Sequence, residues 1–93
     1  MRPAFDEIMD ATPSVDLESS IRKIAMTVEG VVGLDKCYVR KMGLAYYVDL
    51  HVVVDGSISV KLGHGIAHMV KDKVKLLNPT VMDVFIHVEP ADV

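Results

Sequence analysis

Between Leu44 and Asp55 the sequence alternates with a period of two. Tyr46, Val48, Leu50, Val52 and Val54 fall on one side of an extended chain, and Tyr47, Asp49, His51 and Val53 on the other. This is the pattern of a strand with one face packed and one face wet. The fold must therefore contain a sheet covered on a single side. With 93 residues there is length for one domain only, and the 16 valines and absence of Trp fit a small, sheet-containing core.

The covering layer comes from two segments of helical spacing. Leu17, Ile21, Ile24, Ala25 and Val28 recur at intervals of three and four, with Ser14 as a cap and Gly30 as a stop, which predicts a helix over 14–29. After Asp55-Gly56-Ser57, Ser57 or Ser59 caps a second helix to about Leu77. Its stripe is Leu62, Ile66, Met69 or Val70, Val74 and Leu77, and Asn78-Pro79 ends it. Val31–Lys41 reads as a strand joined through a Met42-Gly43 turn to the alternating strand, and Thr80–Glu89 as a last strand. Residues 1–13, bracketed by Pro3 and Pro13, read as a linker or a frayed turn of helix ahead of a domain at 14–93. The order is α-β-β-α-β: an α+β, two-layer sandwich of ferredoxin-like type, with two helices on one face of a three-stranded sheet. Its open edges and bare sheet face favour self-association.

Composition narrows the function. Thirteen acids against ten bases give a net charge of −3, which argues against nucleic acid, since a phosphate backbone wants a basic face. One Cys excludes a disulfide framework and any CxxC motif. No apolar run approaches a membrane span, so the expectation is a soluble, cytoplasmic chain without direct membrane insertion. There is no phosphate loop, nucleophile elbow or H-E-x-x-H, and the chain is not expected to be an enzyme.

All four histidines lie between positions 51 and 87. His51 stands on the wet face of the alternating strand, and His87 and Glu89, two apart, share one face of the last strand. Asp35 opens the first strand. His64 and His68 lie at i, i+4 on the second helix and project together. Imidazole with carboxylate is the ligand set of Zn²⁺ and neighbouring divalent metals. Against this, a single surface histidine is more often a solvated side chain, and His68 has only its spacing from His64 to recommend it. Cys37, sharing a strand face with Asp35 at i, i+2, could add a thiolate but reads better as a small buried hydrophobe, and Asp49 is a further weak candidate. Gly63 and Gly65, flanking His64, imply either close approach of something to the helix or a late helix start.

The run VEGVVGLDKCYVRKMGLAYYVDLHVVVDGSISVKLGHGIAHMVKDKVK, closing in DVFIHVEP, resembles the cytoplasmic C-terminal domain of the cation diffusion facilitator family over about residues 14–90. These are divalent-metal/proton antiporters. The resemblance implies a regulatory homodimer that does not itself transport. Such a domain binds Zn²⁺, or Mn²⁺, Fe²⁺, Co²⁺ or Cd²⁺, near its dimer interface, closes on binding, and hangs from a transmembrane domain in the cell inner membrane. His51, His64 and His87 match family metal ligands, Glu89 stands where Asp is common, and Asp35 where some members have His. That last exchange shifts preference toward harder Mn²⁺ or Fe²⁺. His68 and Cys37 match no ligand position of the family. The RPAFDEIMDATP start is similar to the family's linker and favours a chain cut from a longer protein over the alternative, a free-standing ferredoxin-like module that self-associates or binds a small ligand without a metal role.

Overall fold

The computed structural model describes residues 5–91. Helix α1 spans Phe5–Met26, strand β1 Gly33–Met42, β2 Ala45–Val54, helix α2 Val60–Leu77 and strand β3 Val81–Pro90. The sheet order is β1-β2-β3, with β1 and β2 antiparallel and β2 and β3 parallel across the α2 crossover. The two-layer α+β sandwich expected from the pattern is the fold found.

β2 is the central strand, and its alternation decides where the core sits. Val48, Leu50 and Val52 are fully buried, and Val54 nearly so. Against them pack Ile21, Ala25 and Val28 from α1 and its following turn, Ile66, Val70 and Val74 from α2, and Val81 and Val84 from β3. Each such Val, Leu or Ile contributes roughly 1.5–3 kcal/mol on leaving water. Both helices therefore cover one face, and the face bearing Tyr47, Asp49 and His51 stays open.

Element ends depart from expectation in instructive ways. α1 begins at Phe5, not at residue 14, so only residues 1–4 of the expected linker lie outside those described. Pro13 falls inside the helix, where its missing N–H leaves the Met9 carbonyl without its i+4 donor. At its other end α1 stops at Met26; short i→i+3 bonds from the Thr27 and Val28 amides to the Ile24 and Ala25 carbonyls carry the chain into a turn. That turn ends at Gly30, whose φ of 100° only glycine adopts without strain. The hairpin turn is Gly43-Leu44, one residue later than expected, with Gly43 at φ 67° and Met42 paired to Ala45.

α2 starts at Val60, its Ser59 cap accepting from the Leu62 amide at 3.0 Å. The helix thus runs straight through Gly63 and Gly65, and the late start does not occur. Its buried stripe is Gly63, Ile66, Val70 and Val74. Leu62, Met69 and Leu77, expected in the stripe, are about half exposed, because the 63-66-70-74 row is the one facing the sheet. Gly63 is buried between α2 and the rest of the fold. A Cβ there would lie 3.8 Å from Ile58 Cδ1 and 3.9 Å from Val88 Cγ1, an ordinary contact.

Candidate metal centre

Strand pairing builds the open face in rows. Gly33, Val53 and Glu89 form one row; His51 and His87 sit side by side in the next; Tyr38, Asp49 and Phe85 form a third; Arg40, Tyr47 and Asp83 a fourth. The parallel pairing of β2 with β3 brings the two histidines into register. Their rings stack, with centroids 4.5 Å apart and planes within 15°.

Asp35 reaches this group through an irregularity. Between Leu34, paired to Val52, and Cys37, paired to Leu50, β1 has two residues where β2 has one, His51. This bulge sets Asp35 and Lys36 beside His51 and turns Cys37 back to the core. Asp35 and Cys37 therefore do not share a face, contrary to simple alternation. Cys37 is buried, and burial, followed by the charge of Glu18, pushes its thiol up to about 11. It is a thiol near neutrality, packed as a small hydrophobe.

His51 Nδ1 lies 2.6 Å from Glu89 Oε2. A neutral ring donating from Nδ1 keeps the Nε2 lone pair for another partner, the arrangement in which a carboxylate orients a metal-binding imidazole. The hydrogen bond from His51 is the largest cause holding the Glu89 carboxyl below the usual range. Asp35 and the Lys36 charge lower it further. His87 Nε2 stands 3.9 Å from Asp49 Oδ1, while the other Asp49 oxygen accepts from Arg40 Nη2 at 2.7 Å. Arg40 escaped the sequence reading. The two-residue hairpin could have revealed it, since Met42 opposite Ala45 sets Arg40 diagonal to Asp49.

The structure thus gathers Asp35, His51, His87, Glu89 and Asp49 on one open face. His64 and His68 are not among them. Both are exposed on α2, with their Nε2 atoms 3.0 Å apart. They line a groove at the β3 edge with Ala67, Lys71, Phe85 and Ile86. Among the described residues, no group of three or more His, Cys, Asp or Glu side chains is poised around one point within a single chain.

A family profile described as "Cation efflux protein, cytoplasmic domain" matches residues 13–91. The chain belongs to that family. Metal tolerance protein C1 of Arabidopsis thaliana is 40% identical over 86 residues, covering 91% of this chain and 18% of its own length. The manganese efflux system protein MneP of Bacillus subtilis (strain 168) is 26% identical over 90 residues, covering 97% of this chain and 30% of that protein. The cation efflux domain thus spans less than a third of the length of either relative. Among solved structures, the MamM C-terminal domain matches with a TM-score of 0.79 at 23% identity, covering 81% of this chain and 95% of that one. A variant of it in a cadmium form matches as well, at 21% identity. The shared fold is the ferredoxin-like sandwich derived above. No helix among the described residues is long and apolar enough to cross a membrane.

Proposed function

We propose that this chain is the regulatory part of a divalent-cation efflux transporter, a cation/proton antiporter of the cell inner membrane. It forms a homodimer, binds a divalent metal at the seam, and closes on binding. Zn²⁺ is the first candidate, with Mn²⁺, Fe²⁺, Co²⁺ and Cd²⁺ as alternatives. The observation that carries the reading is the stacked His51–His87 pair, with Glu89 fixed on His51 and Asp35 delivered by the bulge.

The donor types fit such an ion, and their number in one protomer does not complete its shell. A second copy, presenting the same open face, would supply the rest. His51 and His87 offer imidazole nitrogen. Glu89 orients His51 and has a second carboxylate oxygen to give. Asp35 adds a hard oxygen, and Asp49 is available once Arg40 releases it. Binding would then draw together faces that repel when bare, and the resulting change in angle would pass to the transmembrane domain of the same transporter. The relatives' names, metal tolerance and manganese efflux, support a metal cargo.

Calorimetric titration of the chain with Zn²⁺, paired with small-angle scattering, tests this. The His51→Ala/His87→Ala variant should lose most of the heat and the metal-induced compaction. If that variant keeps both, the assignment is wrong.

A further inference from the structure

We propose that the end of the domain bearing the Gly43-Leu44 hairpin turn is a contact for an anionic lipid surface. Met42, Leu44, Leu76 and Leu77 enter the headgroup region of the bilayer, and Lys41 and Lys75 face the lipid phosphates.

The hairpin turn is the anomaly. Tight turns ordinarily take Gly, Asn, Asp or Ser, yet here Gly43 is followed by Leu44, which is 93% exposed, and preceded by Met42, which is 62% exposed. α2 closes on a second apolar pair, Leu76 at 77% exposure and Leu77, half exposed. Topology sets both pairs at one end of the domain. β1 and β2 meet where Met42 pairs with Ala45, and the chain leaving α2 returns to that level: the Tyr46 amide donates to the Thr80 carbonyl at 2.9 Å, and Tyr46 pairs with Val81. Scattered exposed aliphatics are ordinary, but two such pairs on adjoining loops mark a contact surface. α1 leads into β1 through a short turn and lies against it, Arg22 Nη2 donating to the Asp35 carbonyl at 3.1 Å, so its N-terminal end points the same way as the hairpin turn. A transmembrane domain ahead of α1 would stand on this side. That placement rests on the function proposed above; the apolar and basic make-up of the surface does not.

Charge selects the partner. Lys41 enters the hairpin turn, and Lys75 lies in the last turn of α2. The carboxylates of the adjoining strand rows are already engaged by bases, Asp49 by Arg40 at 2.7 Å and Asp83 by Lys71 at 3.3 Å. Asp72 lies one helical turn back, in a groove shared with Glu29. The opposite end of the domain also shows apolar side chains, Val60 at 90% exposure with Val32 and Leu62, and Lys61 next to Val60. There, however, Asp55 and Glu29 line the same grooves, and an anionic surface is repelled. Aliphatic side chains with lysines beside them are the make-up of a peripheral bilayer contact. Such a contact is weak alone, and attachment beside a bilayer raises its effective concentration.

The test mixes the 93-residue chain, in chelator, with large unilamellar vesicles of phosphatidylcholine alone or of phosphatidylcholine and phosphatidylglycerol in equal parts. The chain has no Trp, so Leu44→Trp and Val60→Trp each report from one end. With the mixed vesicles, emission from Leu44→Trp should shift to the blue and be quenched by brominated lipid, while that from Val60→Trp should not change. The parent should co-sediment with the mixed vesicles and far less with phosphatidylcholine alone. Met42→Ser/Leu44→Ser should reduce that binding, and Lys41→Gln and Lys75→Gln should each weaken it about fivefold. All these positions are exposed, and each variant should keep the parent's far-ultraviolet dichroism. No shift at position 44, or equal shifts at 44 and 60, would overturn the proposal. So would a shift at 44 that appears without vesicles as protein concentration rises, which would make a second copy the occupant. No metal enters this test, so its failure is distinct from failure of the Zn²⁺ titration.

Discussion

Replacing Gly30 by alanine should be among the most damaging small substitutions in this domain, although the position is exposed. Two costs combine. The backbone there has φ 100°, a region that L side chains enter at roughly 1–2 kcal/mol. The new Cβ would lie 2.5 Å from Ile66 Cδ1 and 3.0 Å from Cγ1, and Ile66 is a buried member of the core, so its displacement must be absorbed by packed neighbours. Overpacking of that kind costs about 1–3 kcal/mol. The sum, about 2–5 kcal/mol, is a large share of the roughly 5–15 kcal/mol that holds such a domain together.

Chelator-treated protein at one fixed concentration, unfolded by urea and by heat, gives the measurement. Gly30→Ala should lower the midpoint by about 10 °C or more, taking about 4–8 °C per kcal/mol for a domain of this size. Gly43→Ala is the internal control, because its φ is 67° but nothing lies within 4 Å of the added methyl, so it carries the conformational cost alone. The steric part should shrink when Ile66→Val removes Cδ1, giving a double-mutant coupling of about 1 kcal/mol. Should Gly30→Ala prove no worse than Gly43→Ala, or be additive with Ile66→Val, the contact between the α1–β1 turn and α2 is not the constraint argued here.

The opposite sign is expected at Gly65, exposed in the first half of α2 with open space around it: Gly65→Ala should raise stability by about 1 kcal/mol in the same urea titration. Ser59→Ala removes the cap bond to the Leu62 amide and should cost about 1 kcal/mol, with faster hydrogen exchange confined to the first turn of α2. Asp83 has its carboxyl held below the usual aspartate range, first by the Val84 amide and then by Lys71. A depressed folded-state value means that the stabilisation is present above the unfolded value and is lost as pH falls through the folded one. Acid unfolding of Asp83→Asn should therefore be shallower than that of the parent at the acidic end, and identical slopes would contradict this.

The elements and the core could be read from sequence because β2 alternates without a break and each helix carries an apolar stripe. The bulge could not. Leu34-Asp35-Lys36-Cys37 contains no Gly, and one extra residue opposite His51 leaves no mark in an alternation that is already weak in β1. Yet it decides that Asp35 joins the open face and Cys37 the core. His51, His87 and Glu89 were legible as a group, since strand parity alone puts them on the wet side. The place of His64 was not, because helical spacing fixes which residues share a helix face but not how that face lies relative to the far side of the sheet. α2 covers the packed face, so His64 emerges at the β3 edge, and its ring meets His68.

In the dimer proposed above, the charges of the open face would let a cation, rather than an apolar seal, govern its pairing. Tyr38 and Phe85 are half exposed there and would favour contact with a second copy. Around them stand Asp35, Asp49 and Glu89, with Lys36 and Arg40 as opposing charges, and Arg40 is already engaged with Asp49. In the proposed dimer, two such faces would set the Asp35 and Glu89 carboxylates of each copy against those of the other. Each like-charged pair would oppose closure, and the more so as contact between the faces excludes water. A dication reverses that sign, and neutralisation removes the repulsion. Asp35→Asn/Glu89→Gln, in which the new amide oxygen can still accept from His51 Nδ1, should therefore associate more tightly than the parent in the presence of chelator. It should also gain little further compaction from Zn²⁺. Sedimentation equilibrium and scattering with and without metal measure both. Equal association of the two chains in chelator would mean that carboxylate repulsion is not what holds the faces apart.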